Sequence, residues 1–241
     1  MHNWPGQPVG SFAIRSGPFF AATDQFRITV EGRGGHAAKP HDTVDSALVA
    51  AQIVVAMQSI VARNADPVDQ LVVSVTGIRT ETDTHNVIPQ RTYLQGTVRS
   101  LREEVRDMAE ERLCALVTGV ASSFGASAAL VYERGYPVMA NHDRETAFAA
   151  EAARAVSGGC DEAPYVLGGE DFAYMLEARP GAYILVGNGD GAMVHHTEYD
   201  FNDEAIPAGC SWWVGMVDQR LPAGKARRPA FPRSAIQAER G

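Results

Sequence analysis

From residue 22 to residue 134 the chain alternates two hydrophobic periods in an order that few folds accommodate. Phe26, Ile28 and Val30 are interleaved with Arg27 and Thr29, the period-2 pattern of a strand with one buried face. After a glycine-rich turn, Asp42 or Thr43 stands where a helix cap is needed. Leu48, Ala51, Val55 and Ile60 then recur at helical spacing over about 44–63. Two strands are expected at about 70–78 and 91–99, joined by a loop carrying Asn86 and Pro89. A second helix, about 102–124, aligns Val105, Met108, Leu116, Val120 and Phe124, and a strand at 128–133 closes the set. The order β-α-β-β-α-β specifies a ferredoxin-like unit, a four-stranded antiparallel sheet with both helices on one face. That fold hosts many activities, so by itself it assigns none.

Residues 135–222 read differently. A helix at about 143–156 precedes the glycine-rich run Leu167-Gly-Gly-Glu-Asp-Phe172. Residues 182–186 form a short apolar strand, and a helix covers about 205–220. This is the alternation of an α/β layer whose loops build a site. Residues 1–21 are expected to join it, which makes the ferredoxin-like unit an insertion between 1–21 and 135–222. The layer is too small to stand alone, because its strands need neighbours that these residues do not supply.

Charge and cysteine usage exclude some classes. The net charge is -8, but the segment from Ala223 to Gly241 carries Lys225, Arg227, Arg228, Arg233 and Arg240 against Glu239. The acidic body argues against a nucleic-acid partner. The basic segment, with Pro229 and Pro232 and few large apolar residues, reads as a disordered tail. Cys114, Cys160 and Cys210 are far apart and form no CxxC pair, which fits a reducing compartment. Neither a leader pattern nor an apolar window of membrane-spanning length stands out, so no membrane partner and a cytoplasmic location are expected.

Histidines near the two ends point to chemistry. His2 is followed by Asn-Trp-Pro-Gly, and His195-His196 by Thr-Glu-Tyr-Asp-Phe-Asn-Asp203. Read as strand-end residues, His195 and His196 face opposite ways and compete for one role. Two imidazoles suit Mn, Zn, Co or Ni, but a hydrolytic centre needs further ligands and an open position for water.

Six segments in order carry a family resemblance: Met1–Gly6, Gly32-Arg-Gly-Gly-His-Ala-Ala-Lys-Pro-His41, Asn86-Val-Ile-Pro89, Gly96-Thr-Val-Arg-Ser100, Gly169-Glu-Asp-Phe172, and His195 through Pro207. Together they resemble the metal-dependent amidohydrolases of the aminoacylase–carboxypeptidase family, in the hippurate hydrolase and indole-acetyl-amino-acid hydrolase branch. The resemblance implies a homodimeric enzyme with two divalent metal ions per intact site, cleaving N-acyl amino acids. It makes His2 and His195 metal ligands, because the family spacing places the ligand four residues before Tyr199. It makes His36 the oxyanion donor reaching from one subunit's lid into the other subunit's site, a role worth about 3 kcal/mol. It gives Asn86 and Arg99 to substrate, Arg99 suiting a carboxylate. His196 is then a packing residue, His41 a structural one, and His85 and His142 surface residues. Glu170 and Asp171 line the site without an assigned role.

Two family elements have no match in this sequence: a His-x-Cys-Gly-His-Asp motif and a Glu-Glu pair that supplies the general base. The chain is therefore expected to lack the N-terminal part of the site and to be close to inactive alone. The competing reading is a non-catalytic dimerisation and ligand-binding module derived from that family. Metal content and hydrolysis of a simple N-acyl amino acid separate the two.

Overall fold

Residues 1–221 are described by the computed structural model, so the expected disordered tail at 223–241 lies outside them. The chain opens with three short strands, β1 (His2–Trp4), β2 (Phe12–Ile14) and β3 (Gly17–Phe20), and then enters the long strand β4 (Ala22–Glu31). A two-residue strand β5 (Gly35–His36) leads to helix α1 (Ser46–Ser59). Next come β6 (Leu71–Thr80), the short β7 (Val87–Ile88), β8 (Arg91–Ser100), α2 (Glu103–Ser123) and β9 (Ser127–Arg134). The chain returns through β10 (Met139–Asn141), α3 (Asp143–Ser157), β11 (Asp161–Glu162), α4 (Phe172–Ala178), β12 (Leu185–Gly187) and α5 (Ile206–Arg220).

The central sheet has the order β6-β8-β4-β9, antiparallel throughout, which is the ferredoxin-like order. Its inner face presents Phe26, Ile28, Val30, Leu94 and Val98 to both helices. From α2, Val105, Ala109, Leu113, Val117 and Ala121 answer at strict i, i+4 spacing. Met108, Leu116 and Val120 flank that line, whereas Phe124 is exposed, so the expected stripe was displaced by part of a turn.

Of the face expected for the first helix only Ile60, just past the end of α1, is buried. Val49, Ala50, Ile53 and Met57 are buried, while Leu48 and Val55 are 51% and 69% exposed. The helix contains no charged residue, so its pattern had no polar side to mark the outward face. Nor is it capped by Asp42 or Thr43. The Asp45 carboxylate accepts from the Ala47 and Leu48 amides at 2.9 and 3.1 Å. The expectation of no membrane-length apolar window also fails: Ser46–Asn64 is long and apolar enough by composition, with mean hydropathy 1.5. Its buried side belongs to the core of the ferredoxin-like unit; its outer side is uncovered among the described residues.

The second sheet has the order β1-β12-β2-β11, mixing parallel and antiparallel pairs. On one side Phe12, Ile14, Ile184 and Val186 pack beneath α3 and α5, where Trp212 Nε1 donates to the Ala149 carbonyl at 2.9 Å. On the other, Ala13, Phe20 and Leu185 pack with Ala173 and Leu176 of α4.

Both connections between the two layers are held at one point. Asp24, 1% exposed, accepts from Arg106 Nε at 2.9 Å and Nη2 at 2.6 Å, from the Tyr132 hydroxyl at 2.7 Å and from the Gly135 amide at 3.1 Å. Arg106 is itself buried and reaches Glu103 and the carbonyls of Gly135 and Tyr136. A buried carboxylate is tolerated only with its lone pairs filled in this way.

Candidate active site

His2 lies in β1, which runs parallel to β12 with His2 opposite Leu185. Its Nδ1 lies 2.6 Å from the Asn3 carbonyl, so the proton belongs on Nδ1 and the Nε2 lone pair is left free. The ring stands edge-on to Trp4 at 5.7 Å and to Tyr183 at 6.3 Å between centroids. Tyr183 in turn donates its hydroxyl to Glu170 Oε2 at 2.6 Å, and Glu170 Oε1 accepts from the Phe172 amide at 3.3 Å. Burial, and after it the Glu170 carboxylate, push the Tyr183 phenol up, so it stays a donor. Gly169 is needed here because a Cβ on it would lie 2.2 Å from Thr23 Cγ2.

The loop bearing His195 is not the expected strand end. β12 stops at Gly187, and residues 193–199 form turns. The two histidines are separated by loop geometry rather than by strand alternation. His196 folds back, its Nδ1 accepting from the Glu198 amide at 3.1 Å while its amide donates to the Met193 carbonyl at 3.1 Å. His195 is exposed with φ 69°, the one non-glycine residue with positive φ among the described residues. A left-handed residue with a β-carbon is strained and persists only when its surroundings hold it.

The segment that follows His195 is tied to the strand that carries His2. Tyr199 donates its hydroxyl to Asn3 Oδ1 at 2.7 Å, and Asn3 Nδ2 donates to Asn188 Oδ1 at 2.7 Å. Asn188 Nδ2 donates to the Asp200 carbonyl at 2.9 Å, and the Asn202 amide donates to Asn188 Oδ1 at 2.8 Å. The residue after His2 is thus laced to the segment following His195. Sequence reading missed Asn3, Asn188 and Tyr183; a lone polar residue at the end of a short apolar strand was the available signal. Among the described residues, no group of three or more His, Cys, Asp or Glu side chains is arranged to hold a metal. His2 and His195 therefore make part of a centre at most.

The candidate residues of the ferredoxin-like unit divide between the two ends of its sheet. His36 in β5 pairs with Val87 of β7, and the Ala37 amide donates to the Asn86 carbonyl at 3.0 Å, so His36 and Asn86 share one exposed tip. Gly34 and Gly35 act by close packing there and not by a left-handed turn. A Cβ would lie 2.9 Å from the Ile88 carbonyl oxygen in one case and 2.8 Å from Thr43 Cγ2 in the other. Arg99 sits at the opposite end of β8, opposite Thr23 and Val72. It donates to the carbonyls of Val98 at 3.0 Å and Asp24 at 3.3 Å, and contacts the Thr97 hydroxyl. Burial lowers its pKa, with Asp24 opposing. The eight residue steps of strand from Arg91 to Arg99 span about 27 Å, so Arg99 and the His36 tip cannot meet within one chain. The Arg99 end instead abuts the glycine-rich loop, since the Ala21 amide donates to the carbonyls of Val166 and Gly168.

His41 is exposed in the turn before α1 and does not cap it, while His85 is exposed as expected. His142 departs from the surface reading: it is half-buried, and its Nδ1 accepts from the Gly181 amide at 3.2 Å. Asp171 begins α4 without a capping bond.

The profile of Peptidase family M20/M25/M40 matches residues 1–219. The chain belongs to that family. It is 39% identical over 213 residues to YhaA of Bacillus subtilis, covering 85% of this chain and 53% of that protein. With the N-acetylcysteine deacetylase of Bacillus subtilis it is 33% identical over 217 residues, 90% of this chain and 57% of that one. Among solved structures it resembles a Bacillus subtilis dinuclear metal-binding peptidase of the M20 family. There the TM-score is 0.78 at 28% identity, over 92% of this chain and 56% of that one. The chain thus spans about half the length of the curated relatives it matches.

Proposed function

We propose that this chain is the part of a metal-dependent amidohydrolase that carries the lid and two metal-binding histidines, and that the assembled enzyme cleaves the amide bond of N-acyl amino acids. The hydrogen-bonded lacing of the His2 strand to the His195 loop carries this reading, since it couples two ring-bearing segments far apart in sequence. Residues 1–21 and 135–222 make the catalytic layer and residues 22–134 the lid. When bound, divalent metals supply Lewis-acid polarisation of the amide carbonyl and an acidified water. His2, with its proton held on Nδ1, offers Nε2 as a ligand, and the strained His195 offers the second imidazole. Arg99, at the junction beside the glycine-rich loop, grips the substrate carboxylate. His36 and Asn86 serve a neighbouring copy's site, His36 donating to the oxyanion. The metal is one of Mn, Zn, Co or Ni, two ions per assembled site.

Dimerisation through the lid follows from the same split, with the uncharged outer face of α1 and the free edge of β6 as the contact. The reading of a non-catalytic dimerisation and ligand-binding module draws on the absence of a three-ligand cluster among the described residues. Metal analysis and hydrolysis of N-acetyl amino acids decide between them, measured on residues 1–241 alone and after linkage to the unmatched part of the Bacillus subtilis deacetylase. The amidohydrolase reading expects activity and metal only in the linked protein. Linked protein that is folded, free of metal and inactive refutes it.

A further inference from the structure

The outer face of the central sheet, turned away from α1 and α2, is not flat. Phe26, Ile28 and Val30 point to the helices, so Arg27 and Thr29 point outward. The register sets Tyr93 and Ala129 beside Thr29, and Gln95 and Val131 beside Arg27. A groove of about 460 Å³ crosses all four strands at this level. Sites for small molecules span about 300–1,000 Å³. The floor is low because Thr29, Ala129 and, on β6, Gly77 are small. Gly77 also leaves the space into which Gln95 folds, since a Cβ there would lie 2.9 Å from Gln95 Cγ.

A bulge in β6 supplies the groove with a cation. Pairing with β8 slips by one residue between Val75 and Gly77, which leaves Thr76 without a partner. In an unbroken register Arg79 would stand opposite Thr92 and face the helices. With the extra residue it stands opposite Tyr93 and faces outward. Its guanidinium lies over the Tyr93 ring, 5.1 Å from the centroid. The other arginines of this face are engaged: Arg27 by Glu133, Arg91 by Glu31 at 3.0 Å, and Arg99 by the carbonyls of Val98 and Asp24. Among the described residues Arg79, which is exposed, has no ion pair and no side-chain hydrogen bond. The bulge forfeits a ladder pairing, and what it yields is an uncompensated cation laid flat on a ring in the wall of a groove.

We propose that this groove binds a small organic carboxylate with an apolar or aromatic body. Arg79 and the Gln95 carboxamide hold the carboxylate, and the body lies against Tyr93 and Val131. A guanidinium fork takes a carboxylate through two parallel hydrogen bonds, and the ring beneath it fixes its plane in advance. Val131, 51% exposed, and Tyr93 give the body an apolar surface. One uncompensated cation matches a singly charged carboxylate better than a phosphate, because Glu133 already neutralises Arg27. Gln95 and Arg99 are four steps apart on β8, about 13 Å, so this groove is separate from the place given to the substrate carboxylate. It involves neither of the histidines assigned to metal.

Benzoate is the probe, titrated into residues 1–241 while the backbone amides are followed by NMR. Saturable shifts should appear at 27–29, 76–79, 93–95 and 129–131, with half-saturation near about 1 mM for so small a ligand. Benzamide has the same shape without the charge and should bind about tenfold more weakly, the worth of one charge-assisted hydrogen bond. Arg79→Gln should weaken benzoate by about the same factor. Ala129→Phe fills the groove and should abolish binding. Both positions are exposed, so amides elsewhere should keep their shifts. Absence of saturable shifts at these amides overturns the proposal. Equal affinity for benzoate and benzamide does so as well, a comparison that needs no variant to fold. Inorganic phosphate that displaces benzoate at equal concentration marks a general anion site, and shifts centred on 21–24 and 99 mark the substrate's place. Either result overturns the proposal too.

Discussion

The buried pair Asp24–Arg106 offers the sharpest test of how the two layers are joined. Arg106→Met keeps the bulk of the side chain but leaves Asp24, 1% exposed, with only the Tyr132 hydroxyl and the Gly135 amide as donors. Removing one partner of a buried ion pair strands a charge and costs about 3–5 kcal/mol. For a chain of this size each kcal/mol moves the melting point by about 2–4 °C, so a drop of about 6–20 °C is expected. Thermal and urea melts of residues 1–241 measure it. The double variant Asp24→Asn/Arg106→Met removes the stranded charge and should recover more than about 1 kcal/mol of the loss. A single-variant cost below about 1 kcal/mol, or a double variant no better than the single, would refute the reasoning that the pair is buried and mutually dependent. Loss of the pair should also raise hydrogen exchange at 20–24 and 134–138, where the chain passes between layers.

Four further outcomes follow from the structure. His195→Asn should raise stability by up to about 1 kcal/mol, because Asn tolerates left-handed backbone better, while weakening metal uptake in the assembled enzyme; a loss of stability would show that no strain resides there. Leu48→Asp/Val55→Asp should leave the lid folded and yield monomers in sedimentation if α1 is the dimer contact, and an unchanged dimer would place the contact elsewhere. Burial first, then a carboxylate, raises the phenol pKa of Tyr183 and Tyr132 above the ordinary 10.0, so the folded state keeps protons that the unfolded chain releases. Stability should therefore hold below pH 10 and fall as pH rises past it, with a shallower fall in Tyr183→Phe. In the assembled enzyme, His36→Ala should lower kcat about 100- to 1000-fold with metal content unchanged, and a purified mixed dimer with a His195→Ala subunit should recover about half of wild-type activity. No recovery on mixing would place both histidines in the same chain's site.

Periodicity alone was enough to read the strands of the ferredoxin-like unit. β4 and β8 alternate along their whole length, β6 does so from Leu71 to Ser74, and β9 alternates half-buried with exposed residues, a period of two that is insensitive to what lies beyond the sheet. The motif residues were likewise legible as residues: His2, His36, Asn86, Arg99 and His195 stand in recognisable runs. Three things were decided only by tertiary structure. The inward face of α1 was one, since a helix without charges has no pattern to read and the sheet chooses for it. The left-handed turn at His195 was another, because it lies in a loop whose following segment is tied to Asn3 and Asn188 by hydrogen bonds across nearly the whole sequence. The last was the separation of Arg99 from His36 and Asn86. Twelve residues separate Asn86 from Arg99 in sequence. An extended strand turns that short interval into most of the length of the central sheet, so which of these residues can meet within one chain is set by backbone geometry and not by composition.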